Sequence, residues 1–136
     1  MQATGLRLVL ASATLLAASN AMALSLAPRV DESFEHCRAH AQGVIDQASC
    51  IAAETDRQDA RLNRIYQQLL ARLNPAQKTA LVAAQRTWLQ SRQQDATLEA
   101  SLYDDSQPAN LQAADTDMQR LRARADQLQG YLRLLE

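Results

Sequence analysis

The sequence predicts an all-α fold, a small antiparallel bundle of three to four helices carrying one disulfide. Three observations point there. Helix-forming Ala, Gln, Leu and Arg dominate the 136 residues, while Gly and Pro number three each, too few for a turn-rich β architecture. Apolar residues recur in alternating steps of three and four, the spacing of a stripe that faces another helix. Asn74-Pro75 is the sharpest interruption, and it suits a helix start, with Asn74 as N-cap and Pro75 in the first turn.

The first 23 residues read as a secretory signal. Arg7 precedes an apolar run from Leu8 to Ala18, and Ala21-Met22-Ala23 offers small residues at the two positions a signal peptidase reads. The run is shorter than the roughly 20 apolar residues a bilayer span needs. No cysteine opens the chain after Ala23, so no lipid anchor is expected. Residues 24–136 then form a single domain in the periplasm or the medium, with no membrane span after cleavage.

Four segments follow. The first covers roughly Asp31 to Gln42, with Phe34, Cys37 and Ala41 on one face and Gly43 ending it. The second, about Asp46 to Leu73, carries the seam Ala48, Ile51, Thr55, Asp59, Leu62, Tyr66, Leu69 and Leu73. The third, Pro75 to Leu102, turns inward Leu81, Ala84, Trp88, Ser91 or Arg92, Asp95, Leu98 and Leu102. After the loop Tyr103–Pro108, the fourth keeps the strictest alternation, through Leu111, Ala114, Met118, Leu121, Ala125, Leu128, Leu132 and Leu135. A single domain buries each such stripe within itself. The length of the last one would also serve a second copy, so monomer and homodimer both stay open.

Cys37 and Cys50 are the two cysteines, and an oxidising compartment favours a disulfide between them. A loop of that size stabilises by about 3 kcal/mol on the chain-entropy account. A redox pair would normally stand as Cys-x-x-Cys. Removing the signal leaves 13 basic against 15 acidic side chains. That balance offers no basic face for nucleic acid and no polybasic membrane segment. All basic residues but Lys78 are Arg, which makes bidentate links to carboxylates that Lys cannot.

No catalytic grouping stands out: no Gly-rich phosphate loop, no Gly-x-Ser-x-Gly and no His-Glu-x-x-His. His36 and His40 lie four apart with Glu35 and Asp46 nearby, but protein metal sites use three or four ligands, so neither a metal nor another cofactor is expected, and the chain does not read as an enzyme. Asp104 and Asp105 read as loop and helix-end residues. Asp59 falls on an apolar seam, where a carboxylate must be paired. Arg92 lies at a similar height across the Asn74-Pro75 turn. An Asp59–Arg92 link is therefore expected, with Asn63 and Gln85 hydrogen-bonding near Tyr66 and Trp88, the whole fixing helix register.

Asp59-Ala-Arg-Leu-Asn63-Arg-Ile-Tyr66, followed by Leu81-Val-Ala-Ala-Gln85-Arg86-Thr-Trp88-Leu-Gln-Ser-Arg92, resembles the lysozyme-inhibitor LprI-like N-terminal domain family, over about Cys37 to Tyr103. The resemblance implies a non-catalytic module that binds another protein, with direct inhibition of lysozyme as the alternative. It marks Asp59, Asn63, Tyr66, Gln85, Arg86, Trp88 and Arg92 as the motif. Two loops are candidates for partner contact: Tyr103, Asp104 and Asp105 as an acidic one, Asn74 to Lys78 as a donor one. Many members carry a second cysteine pair where this chain has Ala96 and Ala114 or Asp115, so the resemblance implies a last helix held by its leucine seam alone.

Overall fold

The computed structural model describes residues 30–136; the predicted signal, residues 1–23, lies outside them. Four helices, α1 (Val30–His40), α2 (Val44–Arg72), α3 (Pro75–Leu102) and α4 (Gln107–Arg133), account for nearly all of these residues, and no strand occurs among them. No described helix is long and apolar enough to cross a membrane.

Each boundary has a local cause. Gly43 sits at φ +105° between α1 and α2, a conformation other residues adopt only with strain. The Asp46 carboxylate accepts from the Gln42 backbone N–H at 2.9 Å, taking up a donor at the start of α2. At the next turn Asn74 and Gln77 exchange side-chain and backbone bonds in a full capping box, with Pro75 opening the helix. Ser106 caps α4 through Ala109, and Asp104 accepts from the Ser106 N–H.

α2 and α4 form the central pair. Ile51 clusters with Met118, and further on Leu62, Ile65 and Leu69 cluster with Leu121, Ala125, Leu128 and Leu132. Contacts rise together along both helices, so the two run in the same direction; α3 carries the chain back between them. Burying such a leucine stabilises by about 1.5–3 kcal/mol. α1 folds onto the start of α2, joined by the Cys37–Cys50 disulfide with Cα atoms 5.7 Å apart, and Phe34 fills the space beside Cys50 and Met118.

The observed face of α2 corrects the expected seam. Ile51, Leu62 and Leu69 are buried, but between them lie Glu54, Gln58 and Ile65 in place of Thr55, Asp59 and Tyr66. Both registers share the same three anchors and both place polar residues in the middle, so hydropathy alone does not separate them. Cys50 and Ile65 decide. The disulfide turns Cys50 inward, and positions 54 and 58 follow at helical spacing; Ile65 goes in rather than the amphipathic Tyr66, which stays half-buried against the core.

α4 keeps its expected face through Met118, Leu121, Ala125, Leu128 and Leu132, whereas Ala114 and Leu135 are exposed. α3 follows its expected face only at the start. Leu81 is buried and Trp88, Arg92 and Asp95 are half-buried, but Leu98 and Leu102 are 57% and 71% exposed. Glu99, not Leu98, turns toward α4.

Candidate functional site

The motif residues of α3 meet α4, not α2. The Arg92 guanidinium donates through Nε and Nη2 to both oxygens of Asp117, at 2.7 and 2.6 Å. This replaces the expected Asp59–Arg92 link. Asp59 is exposed and accepts from Asn63 one turn along its own helix, at 3.1 Å. The expectation placed Asp59 on a buried face and α3 against α2; the one-residue shift of the α2 face turns Asp59 outward, and α4 supplies the carboxylate instead.

Three arginines organise the α3–α4 seam. Arg120 grips Glu99 through two nitrogens and lies 3.7 Å from Asp95. Arg92 holds Asp117, and Arg124 donates through Nε to Gln85 Oε1 at 2.9 Å and through Nη1 to Gln127 Oε1 at 2.6 Å. Trp88 sits between two of them, with the guanidinium carbons of Arg92 and Arg124 at 5.7 and 5.6 Å from its ring centroid, within cation–π range. Gln85 and Trp88 meet in one network through Arg124 of α4, with Arg92 of α3 also over the Trp88 ring. Asn63 is not part of it, Tyr66 packs on the leucine core, and Arg86 is exposed.

The electrostatics follow from these contacts. The hydrogen bonds from Arg92 hold the Asp117 carboxyl below the usual carboxylate range, and those from Arg120 do the same for Glu99. Asp117 in turn raises Arg92. Arg124 differs: burial pushes it down, and no carboxylate opposes that shift. Between the arginines an open polar groove of about 410 Å³ runs along Trp88, Arg92, Arg120 and Arg124.

A second polar ladder links α2 to α4. Glu54 and Gln58 are 1% and 0% exposed. The Glu54 carboxylate accepts from Arg57 Nε at 2.8 Å and from Gln58 Nε2 at 2.6 Å. Arg61 then donates to Gln58 Oε1 at 3.2 Å and to Asp126 on α4 at 2.6 Å. Sequence reasoning missed Glu54, Gln58, Arg61, Asp117, Arg120, Arg124 and Asp126. The signal was present as arginines and acids scattered through the same helices, without the register that pairs them.

The two candidate contact loops lie at opposite ends of α3, which at 1.5 Å per residue is about 42 Å long. Asn74 is engaged in its capping box, and Lys78 is exposed one turn later. Tyr103, Asp104 and Asp105 edge a cavity of about 150 Å³ that also reaches Glu99 and Asp117. Bonds from Ser106 depress the Asp104 carboxyl. His36 and His40 stack with ring centroids 4.3 Å apart, and His40 Nδ1 lies 2.8 Å from the His36 carbonyl oxygen; no group of three metal-ligating side chains occurs among the described residues.

The family model described as lysozyme inhibitor LprI matches residues 37–128. The chain belongs to the lysozyme inhibitor LprI family. The LprI match opens on the disulfide and takes in α2, α3 and most of α4, hence both polar ladders. No curated protein and no solved structure matches the chain. Within this LprI fold the last helix is not held by leucines alone. Ala96 faces the small cavity at the α3–α4 seam together with Ala113, and the Arg92–Asp117 and Glu99–Arg120 pairs connect the same two helices.

Proposed function

We propose that the protein acts by binding, as a single non-catalytic domain of residues 24–136 in the periplasm or the medium, and that its partner is a lysozyme-type muramidase. The observation that carries this reading is the family match, which spans 92 of 136 residues, from the disulfide through α2, α3 and most of α4. The disulfide suits export. The physical support is at the α3–α4 turn. Tyr103 is partly exposed beside Asp104 and Asp105, so an aromatic contact is flanked by two acids, while Glu99 and Asp117 behind them are held by Arg120 and Arg92. A basic muramidase would be steered toward such an end of the rod. The donor turn at Asn74 to Lys78 lies too far away to share one cleft with it, so the acidic turn is the contact and the motif residues hold it in place through α3.

The test adds the purified chain to a lysozyme clearing bacterial cell walls. Slowed clearing, relieved by Asp104→Asn with Asp105→Asn, is the expected result. Undiminished clearing at tens of micromolar, with no complex on a sizing column, would remove the muramidase reading. Capture of another envelope protein under the same conditions would assign the binding function to that partner.

A further inference from the structure

Along the back half of α3 the usual order of inside and outside is reversed. Arg92, Asp95 and Glu99 turn toward α4 and meet charged partners there, while Leu98 and Leu102 are 57% and 71% exposed. The seam beside the two leucines is closed by arginine–carboxylate pairs, so the fold does not bury them. They stand four residues apart in one helix and therefore share a face. The chain then passes from Leu102 directly into Tyr103, Asp104 and Asp105. Single exposed leucines are ordinary on a protein surface, but an apolar strip that runs on into a partly exposed tyrosine and a polar edge has the make-up of an interaction site.

The chemistry of a muramidase cleft decides which part of this end goes in. Such a cleft works with two carboxylates flanking the scissile bond, one of them set in a hydrophobic pocket against an aromatic wall. A further carboxylate pushed inside would meet like charge. Bonds from Ser106 keep Asp104 in its charged form, so Asp104 suits the basic rim and not the cleft. Leucine side chains carry no charge and match apolar walls. Resting on the muramidase reading above, we propose that Leu98 and Leu102 enter the cleft of the bound enzyme while Asp104 and Asp105 lie on its rim. The acids then steer the encounter, and the leucines hold the complex once it has formed.

Association and dissociation rates of the purified chain with a basic lysozyme separate the two roles. Leu98→Gln with Leu102→Gln preserves helix propensity and removes only exposed apolar surface. Dissociation of that variant should quicken about tenfold or more, with association changed less than about twofold. Asp104→Asn with Asp105→Asn should do the reverse, slowing association more at low salt than at high and leaving dissociation within about twofold. A chitin trisaccharide that fills the cleft should compete with the wild-type chain. Absence of any complex with the wild-type chain would remove the muramidase reading, and this assignment with it. A complex whose dissociation is unchanged in the leucine variant, or which the trisaccharide leaves intact, would overturn the assignment alone. So would a leucine variant that loses self-association but binds lysozyme as before, which would give the strip to a second copy of the chain.

Discussion

Along α2, α4 meets leucines and isoleucines; along α3, the same helix meets Gln85, Trp88, Arg92, Asp95 and Glu99. The first seam is closed chiefly by removing apolar surface from water, which has little dependence on pH or salt at fixed temperature, with the Glu54–Gln58–Arg61–Asp126 ladder along its edge. The second is closed by forked guanidinium–carboxylate pairs at half-exposed positions, where screening by solvent and salt reduces each contribution. Leu81 and Trp88 anchor the front of α3 in the leucine core, but its back half relies on charges, and Leu98 and Leu102 stay in solvent. The lesson is a division of labour. α1, α2 and α4 make the stable body, and α3 is a strut fastened by polar contacts that holds the acidic turn at its far end.

Substitutions can break this contrast, and the largest effect belongs to the leucine seam. Leu128→Ala should cost about 2–5 kcal/mol, the usual range for a buried leucine, read as a lowered urea midpoint with unchanged slope. Replacing both cysteines by Ala should cost about 3 kcal/mol and loosen α1 first, which calorimetry and proteolysis near Gly43 would show. Arg92→Ala should cost about 1–3 kcal/mol, because it leaves the half-buried Asp117 carboxylate without its donor; a double-mutant cycle with Asp117→Ala isolates the pair. Asp59→Ala should change stability by under about 0.5 kcal/mol, as an exposed position does. A larger cost for Asp59→Ala than for Arg92→Ala would reverse the assignment of α3 to α4.

Much of the fold was legible because helices announce themselves locally. Asn74-Pro75 marked the α2–α3 turn to the residue, and the α4 stripe predicted its buried face because its apolar positions have no rival register. The α2 stripe did have a rival, and nothing in its own pattern weighed Glu54 and Gln58 against Thr55 and Asp59. What settled it was the cross-link to α1, a tertiary fact, together with local donors at Arg57 and Arg61 one turn along the same helix that satisfy the two buried polar groups. The Asp59–Arg92 pairing failed for the same reason. It assumed that consecutive helices pack most closely, whereas the leucine face of α4 claims α2 and leaves α3 to the arginines. Arg92 was placed on the inner face as a partner for a carboxylate; which carboxylate depended on the neighbour.

The pH response follows from Asp117. Its folded carboxyl lies below the ordinary range, chiefly because Arg92 hydrogen-bonds the charged form. The stability it contributes is therefore present above the unfolded value of about 3.9 and is lost as pH falls through the lower folded value. Residue-resolved hydrogen exchange at pH 7 and at pH 3, expressed as protection factors, tests the contrast between the seams most directly. At pH 7 the back half of α3, residues 89–102, should be less protected than residues 58–69 of α2 and 118–132 of α4. As the pH falls from 7 to 3 its protection should decline, while those two segments keep theirs. Equal protection of all three helices at both pH values, or loss from α2 and α4 before α3, would contradict the account.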